Sequence, residues 1–388
     1  MSVVVALAAL LLAAGLVERR RHEQALRAIP IRIHVNGTRG KSSVTRLIAA
    51  GLNGAGIRAV AKTTGSAPRF ILPDGQEEEL RRRGAANIRE QLATVRRAAQ
   101  LGAQALVVEC MAIEPELQRL SERLLLRSQI TIITNVRPDH QEVLGASPAK
   151  MAQAMLGTVP RRGTLILGEE RLLSLFFQAA TRRGTRVVPV GPAEEPSESE
   201  MALFRYKEHP ANVACALAAC AQLGVNRQVA LQGMWRVTPD PGALAIWHLT
   251  IGGKRVRFVN AFAANDPQST AVIFQRLGLK PNSERPLVLV FNARQDRPRR
   301  SLQLMELFTS VLAADSYLVI GQLSWGIRRR LVGLQRQGLA IEVLGLAAPE
   351  EVVRQIGTRA AEGSTVVGIG NIGGAGGAVV ELLRARKA

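Results

Sequence analysis

Cysteine and aromatic residues are scarce in this chain. Only three of its 388 residues are cysteine, and Phe, Trp and Tyr together make up 4%. The cysteines stand at Cys110, Cys215 and Cys220, a count and spacing that fit neither a disulfide framework nor a zinc site. We therefore expect a reducing, cytosolic environment. No basic run is interleaved with Phe or Tyr, which argues against a stacking platform for single-stranded nucleic acid.

Acidic residues are in the minority. Lys and Arg number 51 against 31 Asp and Glu, so the formal net charge is +20. A basic surface favours acidic partners such as nucleic acid, anionic lipid or an acidic polymer. An arginine-rich proteome explains the same balance equally well. Without aromatic interleaving, we expect no nucleic-acid partner.

One long apolar run is present, at the N-terminus. Val3–Val17 is uninterrupted and is followed by Glu18-Arg19-Arg20-Arg21. A cleaved secretory signal carries its positive charge before the apolar run, whereas here the charge follows it. The positive-inside rule then places the rest of the chain in the cytoplasm. We expect residues 1–24 to form a helix that anchors the protein in the cytoplasmic membrane; a buried or interfacial helix is the alternative.

The most informative motif is a glycine-bounded turn between a strand-like and a helix-like segment. Small residues in such a turn let backbone N–H groups converge on an anion, and the helix N-terminus adds partial positive charge. The lysine of such loops reaches the β- and γ-phosphates, and the following serine ligates Mg²⁺. The predicted ATP-binding residues are Asn36, Gly37, Thr38, Arg39, Gly40, Lys41, Ser42 and Ser43. Val35 stands where the usual pattern has its first glycine.

Strand-like segments alternate with helix-length segments over the rest of the chain. This alternation predicts an α/β protein with parallel sheets. The segment Pro239-Asp240-Pro241-Gly242 predicts a domain boundary. We expect an ATP-binding domain at residues 25–238 and a smaller, Rossmann-like α/β domain at residues 239–388. Predicted strands include 31–35, 105–109, 130–135, 163–167, 186–190, 255–260, 287–292, 316–320, 341–344 and 365–370; predicted helices include 42–53, 86–101, 115–126 and 209–223.

Polar residues downstream of the loop narrow the chemistry. Glu109 ends an apolar strand, where the second magnesium ligand of a phosphate-loop fold belongs. The segment Thr134-Asn135-Val-Arg-Pro-Asp139-His140 also leaves a strand, and ligands bind at the carboxyl edge of parallel strands. Thr64 in a hydroxyl-rich turn and Asn87 in a predicted first helical turn are weaker candidates, since turns and caps use the same residues.

The order of these motifs resembles the Mur ligase superfamily, which includes the peptidoglycan amino-acid ligases and folylpolyglutamate synthase. The likeness continues through Asn212-Val-Ala-Cys215 and through Asn260-Ala-Phe-Ala-Ala-Asn265-Asp266-Pro. Within the superfamily, the chain resembles the PgsB/CapB-type ligase subunits of poly-γ-glutamate synthases. This resemblance rests on the sequence of the loop, on the second of these segments and on the apolar N-terminus. No lysine matches the one that Mur enzymes carbamylate: the segment reads Ala152-Gln-Ala-Met-Leu156.

The resemblance implies an ATP- and Mg²⁺-dependent amide ligase. A carboxylate is activated as an acyl phosphate, and an amine attacks it. The resemblance assigns catalysis to Lys41, Glu109 and His140, with Ser42, Thr64, Glu109 and His140 on metal ions. Asn87 and Asn212 match nucleotide-contacting positions, and Asn135 and Asp139 match loop-ordering positions.

The implied substrate is glutamate or a poly-γ-glutamate chain. The implied partners are an integral membrane subunit that exports the polymer and further copies of the chain in a homo-oligomer. Two alternatives stay open: another Mur-like ligase, such as a folylpolyglutamate-type enzyme, and an ATPase coupled to a membrane transporter.

Overall fold

The chain divides into two compact units, residues 1–238 and 239–388. The structure is a computed structural model that describes residues 2–64, 68–80, 86–137, 141–145, 147–169, 171–239, 244–262, 264, 267–295 and 298–386. Asp240, Pro241 and Gly242 of the predicted boundary lie outside the described residues. The N-terminal helix belongs to the first unit and does not form a segment of its own.

The first unit is built on an eight-stranded sheet with helices on both faces. Its strands are β1 (Ile31–Asn36), β2 (Ala59–Lys62), β3 (Arg69–Ile71), β4 (Glu77–Glu79), β5 (Ala105–Glu109), β6 (Ile130–Ile133), β7 (Thr164–Leu167) and β8 (Arg186–Pro189). They stand in the order β4-β3-β2-β5-β1-β6-β7-β8. The central strands are buried along their whole length and rich in Val, Ile and Leu, as expected of parallel strands covered on both faces.

Ten helices are described in the first unit. They are α1 (Ser2–Ala28), α2 (Lys41–Gly54), α3 (Glu90–Gln100), α4 (Pro115–Leu120), α5 (Gln141–Leu144), α6 (Pro148–Met155), α7 (Leu173–Thr181), α8 (Glu198–Ala202), α9 (Pro210–Ala221) and α10 (Arg227–Met234). The predicted helix 115–126 is interrupted, because Ser121–Leu126 forms a wider π-helical turn that ends at Arg127 in the left-handed region. Helix α3 begins at Glu90, four residues later than the predicted helix 86–101.

The second unit holds a six-stranded sheet in the order β13-β12-β11-β14-β10-β9. The strands are β9 (Ala245–Ile251), β10 (Lys254–Asn260), β11 (Leu287–Ala293), β12 (Ser316–Gly321), β13 (Ile341–Gly345) and β14 (Thr365–Ile369). The helices described there are α11 (Pro267–Leu277), α12 (Pro298–Glu306), α13 (Trp325–Arg336), α14 (Pro349–Arg359) and α15 (Ala375–Arg384).

The prediction of an α/β fold with parallel sheets is confirmed for the central strands, which pair in parallel, but both sheets are mixed because antiparallel strands are added at one edge. Strands β3 and β4 add an antiparallel hairpin to one sheet edge. Strand β9 pairs antiparallel with β10 through the two-residue turn Gly252-Gly253, whose φ angles are +58° and +76°. Two positive φ angles match the twist of a tight hairpin and require residues such as glycine. The glycine pair was therefore a hairpin signal in the sequence.

Helix α1 stands out because the side chains of its first half are exposed. Val3–Val17 is exposed apart from its helical neighbours, whereas His22, Ala25 and Leu26 are buried against the unit. Among the described residues, no helix combines the length and the apolarity that crossing a membrane requires. The predicted N-terminal helix is thus present, but its role as a membrane-spanning anchor has no support.

Candidate active site

The carboxyl ends of β1, β5 and β6 form the edge on which the candidate residues meet. In the parallel register Val35 lies beside Glu109, and Asn36 lies beside Ile133. The loop after β1, the acid that ends β5 and the segment after β6 are therefore neighbours, although up to 99 residues separate hydrogen-bonded partners among them. The strand-end rule predicts this grouping.

The loop between β1 and α2 has a backbone that only glycine adopts without strain at two positions. Gly37 has φ of +131° and Gly40 has φ of +79°. A Cβ on Gly37 would lie 2.1 Å from Thr134 Oγ1, and one on Gly40 would lie 2.3 Å from Asn212 Oδ1. Gly40 is also the N-cap of α2, and no side chain caps that helix. The amide groups of the first turn are thus available to an anion.

Two side chains from the end of β6 hold the loop in place. Asn135 Oδ1 accepts hydrogen bonds from Thr38 Oγ1 at 2.7 Å and from the Arg39 N–H at 3.1 Å. Thr134 Oγ1 donates to the Arg39 carbonyl at 2.6 Å, and Asn135 Nδ2 donates to the same carbonyl at 3.0 Å. These contacts satisfy the outer face of the loop, so its concave face need not reorganise to bind a ligand.

A serine–carboxylate pair lies at the base of the loop. Ser42 Oγ donates to Glu109 Oε2 at 2.8 Å, and the Thr64 N–H donates to the same oxygen at 2.7 Å. Glu109 is only 4% exposed. A buried carboxylate is costly unless hydrogen bonds or a cation compensate it, and here both donors are neutral. Ser42 and Glu109, which the resemblance assigns to one metal ion, are 67 residues apart in sequence and are in contact in the structure.

Lys41 bends back across the loop. Its ammonium donates to the Gly37 carbonyl at 2.9 Å and to the Thr38 carbonyl at 3.4 Å. Holding the ammonium at the mouth of the loop places its charge where the first-turn amides converge. The position fits neutralisation of a polyphosphate.

The remaining predicted residues are placed unequally. Asn36 supports the loop from within, since Oδ1 accepts from the Gly37 N–H and Nδ2 donates to Gln118 and Thr158. Asn212 packs on Gly40 and donates to Glu208.

One of the predicted residues, Asn87, is not brought to the loop, and two others lie outside the described residues. Asn87 is exposed, and its side chain accepts only from the Arg89 N–H within the described part of the chain; it precedes α3 instead of opening that helix. Asp139 and His140 lie outside the described residues, as do Gly65 and Ser66 of the hydroxyl-rich turn.

The second unit carries a small, open cavity at the carboxyl edge of its own sheet. Asn292 at the end of β11 donates from Nδ2 to the carbonyls of Asn371 and Gly373, while its buried Oδ1 has no hydrogen-bond partner among the described residues. Two guanidinium groups, on Arg294 and Arg300, also line the cavity. Such a lining suits a carboxylate-bearing ligand with an adjacent donor group.

Comparison with known proteins shows the family. The Mur ligase middle domain matches residues 35–234, and the C-terminal domain of poly-gamma-glutamate synthase CapB matches residues 246–386. PGA synthase CapB of Bacillus subtilis is 32% identical, with 98% of this chain and 96% of the relative covered. The capsule biosynthesis protein CapB of Bacillus anthracis is 36% identical over 79% of this chain and 67% of the relative. The chain belongs to the CapB family of Mur-type ligases.

A solved structure shows the same fold. A bifunctional folylpolyglutamate synthase/dihydrofolate synthase with Mn, AMPPNP and L-glutamate bound superposes with a TM-score of 0.65 at 16% identity, over 95% of this chain and 93% of that chain. Membership of the CapB family makes this chain an amide-bond-forming ligase of the Mur type. The resemblance noted from the sequence is confirmed.

The residues of this CapB-family chain fit the nucleotide and divalent metal that the family uses. Among the described residues, no three His, Cys, Asp or Glu side chains gather into a metal-binding cluster. Magnesium bound with a nucleotide needs only one or two protein oxygens, because phosphates and water complete its shell. Ser42 Oγ and Glu109 Oε2 are hard oxygen ligands of the right kind, at the end of a helix that attracts phosphate.

Two ion pairs near the site were not predicted from the sequence. Lys62 at the end of β2 is fully buried and donates to Glu90 at 3.1 Å. Behind the loop strand, His34 Nδ1 lies 2.9 Å from Glu122 Oε2, and both side chains are buried. Burial lowers the pKa of His34, but contacts with Cys110 and then with Glu122 outweigh it and raise that pKa to about 10. The partners are 28 and 88 residues apart, so no local pattern reveals them.

Proposed function

We propose that this chain is an ATP-dependent ligase that builds poly-γ-glutamate by activating a carboxylate and joining it to the amine of glutamate. The loop and the Ser42–Glu109 pair carry the ATP half of the proposal. The glutamate half rests on similarity to PGA synthase CapB over almost the whole length of both chains. Bound ATP would supply the phosphoryl group that turns a carboxylate into an acyl donor, and the metal ion would neutralise the charge that develops on the phosphates.

The chain's own residues provide binding and electrostatic stabilisation. Lys41 and the first-turn amides of α2 would neutralise the phosphate oxygens, and Ser42 with Glu109 would hold the metal ion. Asn135 keeps the loop in its binding conformation through its contacts with Thr38 and Arg39. Because the transferring group and the tetrahedral adduct are anionic, fixed positive charge is the main contribution that the protein makes.

The cavity of the second unit supports a place for the amino-acid substrate. Arg294 and Arg300 bring positive charge to the cavity, which favours a carboxylate, and Asn292 Oδ1, which has no partner among the described residues, can accept from an ammonium group. An amino acid presents both groups on neighbouring atoms. We place the α-carboxylate and amine of the incoming glutamate there.

The decisive experiment measures ADP release by purified protein with Mg²⁺-ATP and each amino acid in turn. We expect ADP release to require glutamate, and mass spectrometry to find γ-linked oligomers in the same reaction. Lys41→Ala should abolish both while the far-ultraviolet circular dichroism spectrum is kept. ADP release that is equally fast without any amino acid would contradict the ligase and favour an ATPase coupled to a transporter.

We also propose that the exposed part of α1 attaches the enzyme to an apolar partner at the cytoplasmic membrane. Val3–Val17 presents apolar side chains on every side of the helix, with Leu12 70% exposed, and such a surface costs free energy in water. Arg19, Arg20 and Arg21 follow it, where they can meet anionic headgroups. Deleting residues 1–17 should release the protein from membranes in a flotation assay. Unchanged flotation of the shortened protein would contradict the attachment. The homo-oligomer expected from the resemblance stays a prediction.

A further inference from the structure

Helix α13 has one continuous exposed face that the proposed chemistry does not use. Ile327, Leu331 and Leu334 are buried against the sheet of the second unit. The side chains on the opposite side follow a spacing of three and four residues, which places them in one row along the helix. The exposed face consists of Trp325, Arg328, Arg329, Val332, Gln335 and Arg336.

This α13 face is basic and contains no carboxylate. Arg328, Arg329 and Arg336 form no ion pair within the described part of the chain, whereas some exposed arginines, such as Arg354, pair with a glutamate. Unopposed positive charges repel one another and lower stability, so a ligand of opposite charge gains by binding there.

Trp325 adds an apolar group at the beginning of the face. It is 74% exposed, although large aromatic side chains are usually buried, and the Arg329 guanidinium lies 5.4 Å from its ring centre. In this arrangement the guanidinium contacts the ring, and the N–H groups at its edges can donate to a planar anion.

Helix α13 is a neighbour of the elements that line the cavity described above. Helix α12 lines the cavity through Arg300, Ser301 and Leu304 and packs on α13. On the other side, β12 ends at Gly321, where a Cβ would lie 2.4 Å from Asn292 Oδ1, and the chain then turns into α13. The N-terminal end of α13 therefore follows the same sheet edge on which the cavity lies.

We propose that the α13 face is a docking surface for the polyanionic chain that the enzyme elongates, a flexible polymer with one carboxylate per residue. The assignment of the polymer as γ-linked glutamate rests on the proposed function. Arginine binds carboxylates through two parallel hydrogen bonds. Arg336 lies about 11 Å along the helix axis from the adjacent Arg328 and Arg329, so it contacts a different residue of the polymer. Retaining the polymer between additions favours long products.

A single tryptophan among arginines favours this occupant over nucleic acid. Surfaces for single-stranded nucleic acid carry several aromatic side chains on which successive bases stack. The α13 face has one aromatic group and otherwise guanidinium groups, which match a chain of carboxylates without bases.

The test measures binding of fluorescently labelled poly-γ-glutamate by anisotropy, without ATP. The triple variant R328Q/R329Q/R336Q is compared with R161Q/R171Q/R182Q, which removes the same charge from exposed positions of the first unit. We expect binding to weaken about tenfold or more in the α13 variant, because three exposed ionic contacts each contribute roughly two- to fivefold. The control should stay within about twofold, since it leaves every charge of the α13 face in place.

The fluorescence of Trp325 gives a second, local readout. Polymer binding should change the tryptophan emission of the wild-type protein but not that of W325F, which keeps Trp235 and Trp247. Equal weakening in both triple variants would show a general charge effect and overturn the assignment, as would undiminished binding by the α13 variant. Tighter binding of single-stranded DNA than of the polymer in competition would assign the face to nucleic acid. A wild-type dimer that the α13 triple variant dissociates in sedimentation would make it an interface between copies.

Because this assay contains no ATP, its result is independent of the ligase reaction. Failure of glutamate-dependent ADP release would overturn the proposed function, and polymer binding would still report on the surface.

Discussion

Replacing Glu109 by glutamine should separate the chemistry of the site from the stability of the fold. The substitution keeps the shape of the side chain and an oxygen that can accept from Ser42 Oγ and the Thr64 N–H, which now donate at 2.8 and 2.7 Å. It removes the negative charge, which is the property that a metal ligand needs at this position.

The expected change in stability is small because two effects oppose each other. Hydrogen bonds to a charged acceptor contribute about 1.5–3 kcal/mol each and neutral ones about 0.5–1.5 kcal/mol, so Glu109→Gln loses on the order of 1–2 kcal/mol per bond. Removing an ionised carboxylate that is 4% exposed recovers a desolvation cost of similar size. We expect a shift in Tm of a few degrees at most, roughly 2–4 °C per kcal/mol for a unit of this size.

The expected change in activity is large. Loss of one electrostatic contact to a reacting group typically lowers kcat by about 10²–10³, and we expect Glu109→Gln to lower glutamate-dependent ADP release by at least that factor. The assay couples ADP release to absorbance at saturating Mg²⁺-ATP, with Tm measured on the same preparation. A folded variant that keeps more than about a tenth of the wild-type rate would refute the assigned role, since such a loss is far below the expected range. A variant that unfolds would show that the carboxylate is structural.

Two further predictions concern the loop and the pair behind it. Gly40→Ala should weaken nucleotide binding and destabilise the protein more than Gly56→Ala does: both glycines have φ of +79°, but only at Gly40 would the new methyl group strike Asn212. Equal effects in a thermal-shift titration with ADP would contradict the importance of that contact. The folded-state pKa of His34, about 10, lies above its ordinary value of 6.5, so its stabilisation is complete below pH 6.5 and is lost as the pH rises through 10. The free energy of unfolding in urea should therefore fall from pH 7 to pH 10 by up to about 1.4 kcal/mol per pH unit. Glu122→Gln should flatten this slope, and an unchanged slope would contradict the pairing.

The sequence predicted what depends on local pattern and on the strand-end rule. The loop needs glycine at two positive φ angles and a lysine and a serine at the start of a helix, all within eight residues. Glu109 could be added because it ends an apolar strand, and parallel strands end at a common edge. The interruption at Ser121–Leu126 could not be predicted, since it lies in a segment with continuous helical character.

Contacts between distant segments lay beyond such reasoning. Asn212 was assigned to the nucleotide by resemblance, but its packing against Gly40 depends on how α9 docks beside α2. The buried Lys62–Glu90 pair likewise depends on the packing of α3 against β2, which no periodicity encodes. The hairpin strands were missed for another reason: β3 and β4 have three residues each, too few to show an alternating pattern.

The candidate site gains its rigidity from being shared among four strands. The loop follows β1, Glu109 ends β5, Thr64 follows β2, and Asn135 follows β6. Each of these side chains or amides hydrogen-bonds to another of the set, so shifting one strand end disturbs at least two contacts. The α13 face, in contrast, belongs to one helix, and its charges can change without moving the sheet. Relatives that bind a different polymer are therefore expected to differ on α13. At the four strand ends, a change in one residue would require changes in its hydrogen-bond partners.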